Sequence, residues 1–300
     1  MFEIEQGVRQ GSTISADLYK LYGNPLLNIL CETGLVGHIS DIGCCTPTCV
    51  DDVAIISNNH LELQMLINIA ANFSKREGTL TNSIEIEEDF WNINNKQMSV
   101  VEYSTHIGIQ KCQQNSTKFT VEENIKKTRR SFYSLMGTGL HGKNGLGPET
   151  DITILNTYVM PILTYGLDIL LPTGRILDSI HQFHKKMIKQ ILSLAKNTAD
   201  QAVYILSRSL PIEAELNLKT LSLFGNITRA DKSTIEWRLA ETQLQLKTNQ
   251  SNSWFIDIKK ICLKYDIMYC QDFVNNPLGK FQWKKSNYKK NTYILDSRNK

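Results

Sequence analysis

The sequence lacks a strong excess of charge of either sign, because 33 lysines and arginines face 30 aspartates and glutamates, for a net charge of +3. A net charge this small does not by itself indicate a nucleic-acid-binding protein, so any basic surface must be local. Long apolar runs are lacking too. The most apolar stretch, residues 158–172, is interrupted by Pro161, Gly166 and Asp168. It is shorter than the roughly 20 residues that a membrane-spanning helix needs, so we predict no transmembrane segment and no membrane partner.

The sequence also lacks the marks of a secreted or disulfide-bonded protein. The opening residues, MFEIEQ, contain no basic segment that leads into an apolar core, so we expect an intracellular protein of the nucleus or cytoplasm. The cysteines are odd in number and form no paired C-x-x-C motifs; they are Cys31, Cys44, Cys45, Cys49, Cys112, Cys262 and Cys270. The cluster at residues 44–49 has no histidine at finger-like spacing, so we expect buried thiols there rather than a zinc site.

What is present is the composition of an ordinary globular protein, with 41% apolar and 21% charged residues, and a length of 300 residues is typical of two domains. The first third mixes short apolar runs with helical patterns, and the rest is mostly helical in its spacing. The sequence therefore predicts an α+β fold, in which a small antiparallel sheet with helices precedes an all-helical part. The clearest helices are predicted at residues 17–31, with a bend at Gly23-Asn24-Pro25, and at 60–75, 121–136 and 177–194.

Two adjacent acids, Asp51 and Asp52, lie between β-favouring apolar residues in the segment CVDDVAII. If the flanking residues pair as a hairpin, both carboxylates lie at its tip, where aspartate is also common in a plain turn. Two hard oxygen ligands suit Mg²⁺, which in such sites clamps the attacking and leaving oxygens of phosphoryl transfer. A plain turn and a metal site both remain open, because metal catalysis needs more ligands than this pair.

A polar, glycine-containing segment, QGVRQGSTIS, leads into the first predicted helix and contains Gln10, Gly11 and Ser12. Glycine at such a position lets the backbone approach a ligand closely. The same residues are equally compatible with a turn followed by a helix cap.

In this order, and about forty residues apart, the two features resemble motifs of reverse transcriptases from non-LTR (LINE-type) retrotransposons. GVRQGSTISADLYKLYGNPLL is similar to the Gln-Gly motif and following palm helix of that family, and CVDDVAII is similar to its Asp-Asp hairpin, usually Tyr-Ala-Asp-Asp. The segment THIGI, residues 105–109, resembles the family's Tyr-Leu-Gly-Ile strand, and the helices that follow resemble the thumb side. The resemblance covers about residues 4–275 and is most specific in about the first 110.

The resemblance implies an RNA-directed DNA polymerase, a nucleotidyltransferase with an RNA template, a DNA primer and deoxynucleoside triphosphates as partners and Mg²⁺ as cofactor. Asp51 would be a catalytic metal ligand and Asp52 its weaker companion. Gly108 would lie on the turn that approaches the primer. The residues on the nucleotide and template side would be Gln10, Gly11 and Ser12.

Two basic clusters would hold the nucleic-acid backbone by neutralising its phosphates. The first, in the helix predicted at 121–136, consists of Lys126, Lys127, Arg129 and Arg130. The second choice, in the helix predicted at 177–194, consists of Lys185, Lys186 and Lys189. An ordinary solvated helix face is the alternative for both clusters.

The resemblance implies a partial palm at residues 1–115, a thumb-like helical region at 116–196, a C-terminal helical region at 197–280 and a basic, poorly ordered tail at 281–300. Polymerases of this family bring a further catalytic Asp and the fingers from upstream of the Gln-Gly motif, and only five residues precede Gln6. We therefore expect an N-terminally truncated fragment that is inactive alone, because a two-metal site without that carboxylate loses most of its electrostatic stabilisation. The alternatives are a retrotransposon-derived, non-catalytic nucleic-acid-binding protein and a structural domain with an ordinary Asp-Asp turn.

Overall fold

The computed structural model describes residues 13–44, 46–49, 52–76, 92–93, 96–97, 101, 103–112, 114–139, 146–267 and 269–285. The chain divides into two compact units, Met1–Ile107 and Gly108–Lys300. Helices predominate and the strands form small antiparallel pairs, so the predicted α+β class is confirmed at this coarse level. The division falls after residue 107.

The first unit contains these elements among its described residues: α1 (Ser15–Glu32), β1 (Gly37–Ile39), β2 (Ile42–Cys44), β3 (Thr48–Cys49), β4 (Asp52–Val53), α2 (His60–Arg76), β5 (Asn92–Ile93), β6 (Lys96–Gln97) and β7 (Tyr103–His106). The strands β1 and β2, β3 and β4, and β5 and β6 each form an antiparallel pair. Each of these three pairs is a two-stranded sheet with two or three residues in each strand. The described part of this unit therefore consists of short two-stranded sheets and two long helices.

The helix α2 follows from its apolar spacing and from the residue that precedes it. Asn59 accepts a hydrogen bond at Oδ1 from the backbone N–H of Leu61 (2.9 Å), which satisfies one of the free donors of the first turn. Leu66 and Phe73 are buried on the inner face. The Phe73 ring meets Tyr22 of α1 edge-on, with 6.3 Å between ring centroids, so the two helices pack against each other.

The bend predicted in the first helix does not end it, because α1 runs without a break through Pro25. A proline inside a helix leaves the carbonyl four residues earlier, that of Leu21, without its usual donor. Leu30 is the fully buried residue of α1, whereas Leu21 and Pro25 are exposed to solvent. Water can therefore satisfy the freed carbonyl, and α1 extends from Ser15 to Glu32.

The second unit is helical apart from one strand in its described residues: β8 (Ile109–Cys112), α3 (Ser116–Gly137), α4 (Pro148–Ile154), a π-helix (Leu155–Val159), α5 (Met160–Leu163), α6 (Leu167–Leu170), α7 (Gly174–Ile191), α8 (Asp200–Ser207), α9 (Ile212–Thr228), α10 (Ile235–Leu246), α11 (Trp254–Lys264) and α12 (Cys270–Asn275). No helix in the described part of the chain combines the length and the apolarity needed to cross a membrane.

A first core fills the space among α3, α4, the π-helix, α5, α7 and the start of α9, and fully buried members include Phe132, Leu155 and Ile188. A buried amide fixes two of these elements together. Asn124 of α3 donates its Nδ2 to the carbonyl oxygens of Leu163 (3.2 Å) and Tyr165 (2.8 Å). Leu163 is the last residue of α5 and Tyr165 lies just beyond it, where carbonyls lack intrahelical donors, so this contact fixes α3 against the end of α5.

A second core lies among α9, α10, α11 and α12, and Trp283 closes it. The Trp283 side chain is only 2% exposed, meets Phe273 edge-on at 4.7 Å between centroids, and donates its Nε1 to the carbonyl oxygen of Leu221 (2.9 Å). Residues 280–285 are helical. The ordered chain therefore extends past the boundary predicted at residue 280, because an aromatic residue within the basic segment is required to complete the core.

The helix α9 contributes to both cores. Ile212 and Leu216, in its first half, belong to the first core, and Leu221 and Phe224, in its second half, belong to the second. One helix therefore joins the two hydrophobic clusters of this unit.

Gly166→Ala is expected to destabilise the second unit by about 2 kcal/mol. Gly166 has φ +70°, and a Cβ at this position would lie 2.9 Å from side-chain carbons of the buried Ile109. The left-handed backbone costs a non-glycine residue roughly 1–2 kcal/mol, and the crowding adds to that cost. Urea unfolding followed by far-UV circular dichroism measures the change.

The matched control for this prediction is Gly174→Ala, because Gly174 has φ +53° and no atom within 4 Å of an added Cβ. It isolates the backbone cost, so it should destabilise less than Gly166→Ala. An equal loss of stability in the two variants would show that contact with Ile109 contributes nothing.

Candidate nucleic-acid interface

The Asp-Asp segment begins and ends in a short antiparallel pair. Thr48 pairs with Val53 and Cys49 with Asp52, and the N–H of Ala54 donates to the carbonyl oxygen of Pro47 (3.0 Å). The residues on the two sides of Asp51 therefore pair antiparallel, and Asp52 is itself a paired residue of β4. Asp52 is exposed on β4, and Asp51 lies outside the described residues, as do Gln10, Gly11 and Ser12.

The Asp-Asp hairpin offers few ligands for Mg²⁺ among its described residues. Asp52 supplies one exposed carboxylate, whereas a two-metal centre needs several. Within the described ranges, no three side chains of His, Cys, Asp or Glu come together as a group that could hold a metal ion. The described hairpin residues alone therefore do not fit such a centre. Cys49 is exposed, not buried as expected, because β3 is a two-residue surface strand.

Gly108, predicted to lie on a turn near the primer, directly precedes β8 and has φ +72°. A Cβ on this residue would lie 3.0 Å from Cε1 of Tyr165. The left-handed backbone and the adjacent Tyr165 ring both favour glycine at position 108. The fold therefore requires a glycine there independently of any contact with a primer.

The first basic cluster lies on the solvent side of α3. Lys126, Lys127, Arg129 and Arg130 are all exposed, whereas Thr128 between them is fully buried against the first core. Five consecutive residues thus direct one side chain inward and four cationic side chains outward.

Neighbouring groups hold part of this cluster in place. Lys126 Nζ lies 3.6 Å from Glu123 Oε2, and the guanidinium carbon of Arg129 lies 5.7 Å from the centroid of the Phe183 ring on α7. The Tyr133 hydroxyl and the Gln190 side chain on α7 are 3.5 Å apart. The exposed face of α3 therefore borders α7, which carries the second basic cluster.

The second cluster lines a cleft of about 520 Å³, which we call the lysine cleft after Lys185, Lys186, Lys189 and Lys196. Lys185 is buried and donates to Asp200 Oδ2 (2.6 Å), which holds the pKa of that carboxyl below its usual value. Lys189 donates to the carbonyl oxygens of Lys196 (2.9 Å) and Thr198 (2.8 Å). These two lysines are thus held in intramolecular contacts, whereas Lys186 and Lys196 are exposed.

An aromatic cluster lies on the same two helices. The Tyr204 ring of α8 contacts His181 and His184 of α7, at 5.9 Å and 6.0 Å between centroids. Burial lowers the pKa of His184 to about 4, with a smaller contribution from the charge of His181, and burial also lowers the pKa of His181 itself. The His184 imidazole is therefore neutral at pH 7, and the positive charge of α7 resides on Arg175 and the lysines.

Sequence reasoning missed two parts of this interface. Lys196 follows the predicted helix, and its position beside Lys186 depends on how the chain turns between α7 and α8. Arg129 was predicted to contact the nucleic-acid backbone, and in the structure its guanidinium also packs over the Phe183 ring. The only sequence signal for either was the local density of basic residues.

Comparisons with protein-family models, with curated proteins and with solved structures each returned no match. A functional assignment therefore depends on the residues and the geometry described above.

Proposed function

We propose that this chain is a nucleic-acid-binding protein related to the reverse transcriptases of non-LTR retrotransposons, and that it contacts the phosphate backbone through α3 and the adjoining lysine cleft. The observation that carries the proposal is the set of four exposed cations within residues 126–130 of α3. We refer to Lys126, Lys127, Arg129 and Arg130 as the α3 cluster. Its sequence context, after the Gln-Gly and Asp-Asp motifs, supports the relationship to the polymerases.

The contacts of the α3 cluster leave its charge available. Lys126 is exposed and Glu123 is half-exposed, and surface pairs of this kind stabilise proteins by at most about 1 kcal/mol, so a phosphate can replace the carboxylate. Arg129 keeps its charge while its planar group lies over Phe183, and arginine in this form suits phosphate recognition. Phosphates neutralised by these side chains release counterions, which makes such binding strongly dependent on salt.

Replacing all four residues of the α3 cluster by glutamine is expected to weaken binding to an RNA–DNA duplex at least tenfold near physiological salt. Fluorescence anisotropy with a labelled duplex, from about 50 to 400 mM KCl, measures the affinity and its salt dependence. The slope of log Kd against log salt should fall by up to roughly 0.9 for each phosphate that the variant no longer neutralises.

The matched control replaces four other exposed basic residues of the same unit, Arg175, Lys232, Lys247 and Lys260, by glutamine. It changes the net charge equally but leaves the α3 cluster intact, so its salt slope should stay near that of the wild type. An equal drop in affinity in both variants, or no binding by the wild type at low salt, would reject the proposal. Far-UV circular dichroism confirms that each variant is folded.

A second candidate function is RNA-templated DNA synthesis. The observation that favours it is the antiparallel pairing of Cys49 with Asp52 in the Asp-Asp segment. We expect binding without extension, because a two-metal reaction needs carboxylates beyond Asp51 and Asp52. Primer extension with Mg²⁺ tests this expectation. Extension that disappears in Asp51→Asn, while binding persists, would make the chain a polymerase.

A further inference from the structure

A second cleft, of about 580 Å³, lies in the second unit between the π-helix, the turn after α8, the helix α9 and the segment around Trp283. We call it the Arg208 cleft. Its polar lining includes Asn156, Arg208, Glu215, Lys219, Ser222 and Lys284. It shares no lining residue with the lysine cleft, so the two clefts are separate sites.

The Arg208 cleft carries excess positive charge. Three cationic side chains face it, against the single carboxyl group of Glu215. Lys219 Nζ lies 3.5 Å from Glu215 Oε1 and also donates to the Thr164 hydroxyl, so Lys219 largely offsets that carboxyl. Arg208 and Lys284 are the other two cationic side chains of the lining.

The backbone of Arg208 is held in an uncommon conformation. It has φ +51° at the C-terminal end of α8, a left-handed position that usually holds glycine or asparagine. Arg208 Nη1 donates to Glu149 Oε1 (2.8 Å), but both side chains are about four-fifths exposed, at 82% and 81%. An exposed pair of this kind is weak, so the guanidinium can exchange this carboxylate for a phosphate, which it binds with two parallel hydrogen bonds.

The π-helix brings an amide to the same cleft. Its wider turn is recorded by the bond from the N–H of Met160 to the carbonyl oxygen of Leu155, five residues earlier. Asn156, within this turn, is exposed and lines the cleft. Single π turns are rare and are frequently found at functional sites, and an asparagine amide can donate to a phosphate oxygen.

We propose that the Arg208 cleft binds the phosphate group of a phosphorylated ligand, with Arg208 and Lys284 as the principal anion contacts and Asn156 and Ser222 as hydrogen-bond donors. The site is independent of the α3 cluster and goes beyond the proposed function. The phosphate could belong to a free phosphorylated molecule or to the 5′ end of a nucleic-acid strand, and both sources present the same chemistry.

Calorimetric titration with inorganic pyrophosphate, without divalent cations, tests the site directly. The pair Arg208→Gln and Lys284→Gln should weaken binding at least tenfold, whereas the matched pair Arg175→Gln and Lys247→Gln, outside the cleft, should bind as the wild type does. Glu215→Gln removes the one carboxylate and should tighten binding severalfold, a gain that misfolding would not produce. The α3-cluster variant should bind pyrophosphate normally, which separates this test from that of the proposed function.

The source of the phosphate is resolved with one oligonucleotide, carrying either a 5′-phosphate or a 5′-hydroxyl, added to the α3-cluster variant. A preference for the 5′-phosphate that disappears with the Arg208 and Lys284 replacements identifies a strand end. Pyrophosphate binding without that preference identifies a free phosphorylated molecule. The proposal is wrong if millimolar pyrophosphate does not bind and no preference for the 5′-phosphate exists. It is also wrong if the Arg208 and Lys284 replacements and the control replacements of Arg175 and Lys247 weaken pyrophosphate binding equally.

Discussion

Gly225→Ala is expected to destabilise the second unit by about 4 kcal/mol, although alanine is the better helix former. Gly225 lies within α9, and a Cβ there would be 2.3 Å from Nε1 of Trp283 and 2.6 Å from the next ring carbon. Contacts this short cannot persist, so we expect the indole of Trp283 to leave its place in the second core. Removing a buried Trp or Phe side chain costs about 3–5 kcal/mol, against roughly 1 kcal/mol gained in helix propensity.

A double-mutant cycle separates displacement of the indole from other effects of the added methyl group. With Trp283→Ala present, Gly225→Ala should no longer destabilise, because the clash is absent. Urea unfolding followed by far-UV circular dichroism gives the four free energies without depending on tryptophan fluorescence. Additive destabilisation in the double variant would contradict this explanation. Gly137→Ala, with no atom within 4 Å of its added Cβ, is the control and should be neutral or slightly stabilising.

Stability is expected to fall by about 3 kcal/mol as the pH is lowered from 6.5 to 4, because of His184. Its side chain is 1% exposed, and neither ring nitrogen has a hydrogen-bond partner among the described residues. Burial lowers the pKa of His184 from 6.5 to about 4 in the folded chain. Below pH 6.5 the unfolded chain therefore takes up a proton that the folded chain does not, and each pKa unit of difference corresponds to about 1.4 kcal/mol.

The comparison of wild type with His184→Leu isolates this contribution from the carboxylates that titrate over the same range. The stability difference between the two proteins should be nearly constant above pH 7 and should shift in favour of the variant as the pH falls toward 4. His60→Gln, at an exposed position at the start of α2, is the control. If the stability of wild type and of His184→Leu changes with pH in parallel, the pKa of His184 is the same in the folded and the unfolded chain, and the prediction is wrong.

The helices with strong amphipathic patterns were predictable from the sequence. The helix predicted at 60–75 is α2, His60–Arg76, because apolar residues recur on one face and Asn59 caps its first turn. By contrast, the position of α10 within the predicted helical region at 197–280 was not predicted. Its buried residues are Trp237 and Ala240, and most of its other positions are polar, so its pattern is weak and its packing against α9 and α11 determines it.

Buried polar residues and distant aromatic partners could not be predicted from local patterns. Asn124 lies among charged residues in the sequence, yet it is buried because its amide satisfies two carbonyls about forty residues away. Trp283 lies in a basic segment whose composition indicates disorder, and only the second core explains its burial. Likewise, Lys185 is one of three similar lysines in sequence, and only the fold pairs it with Asp200.

Because α9 belongs to both cores, the two halves of the second unit cannot be separated without opening a core. Ile212 and Leu216 complete one cluster while Leu221 and Phe224 complete the other, so a cut before this helix opens the first core and a cut after it opens the second. The two clusters should therefore lose their structure in a single cooperative transition. The part of this unit before α9 and the part after it could not be exchanged separately between proteins, because the helix that joins them belongs to both cores.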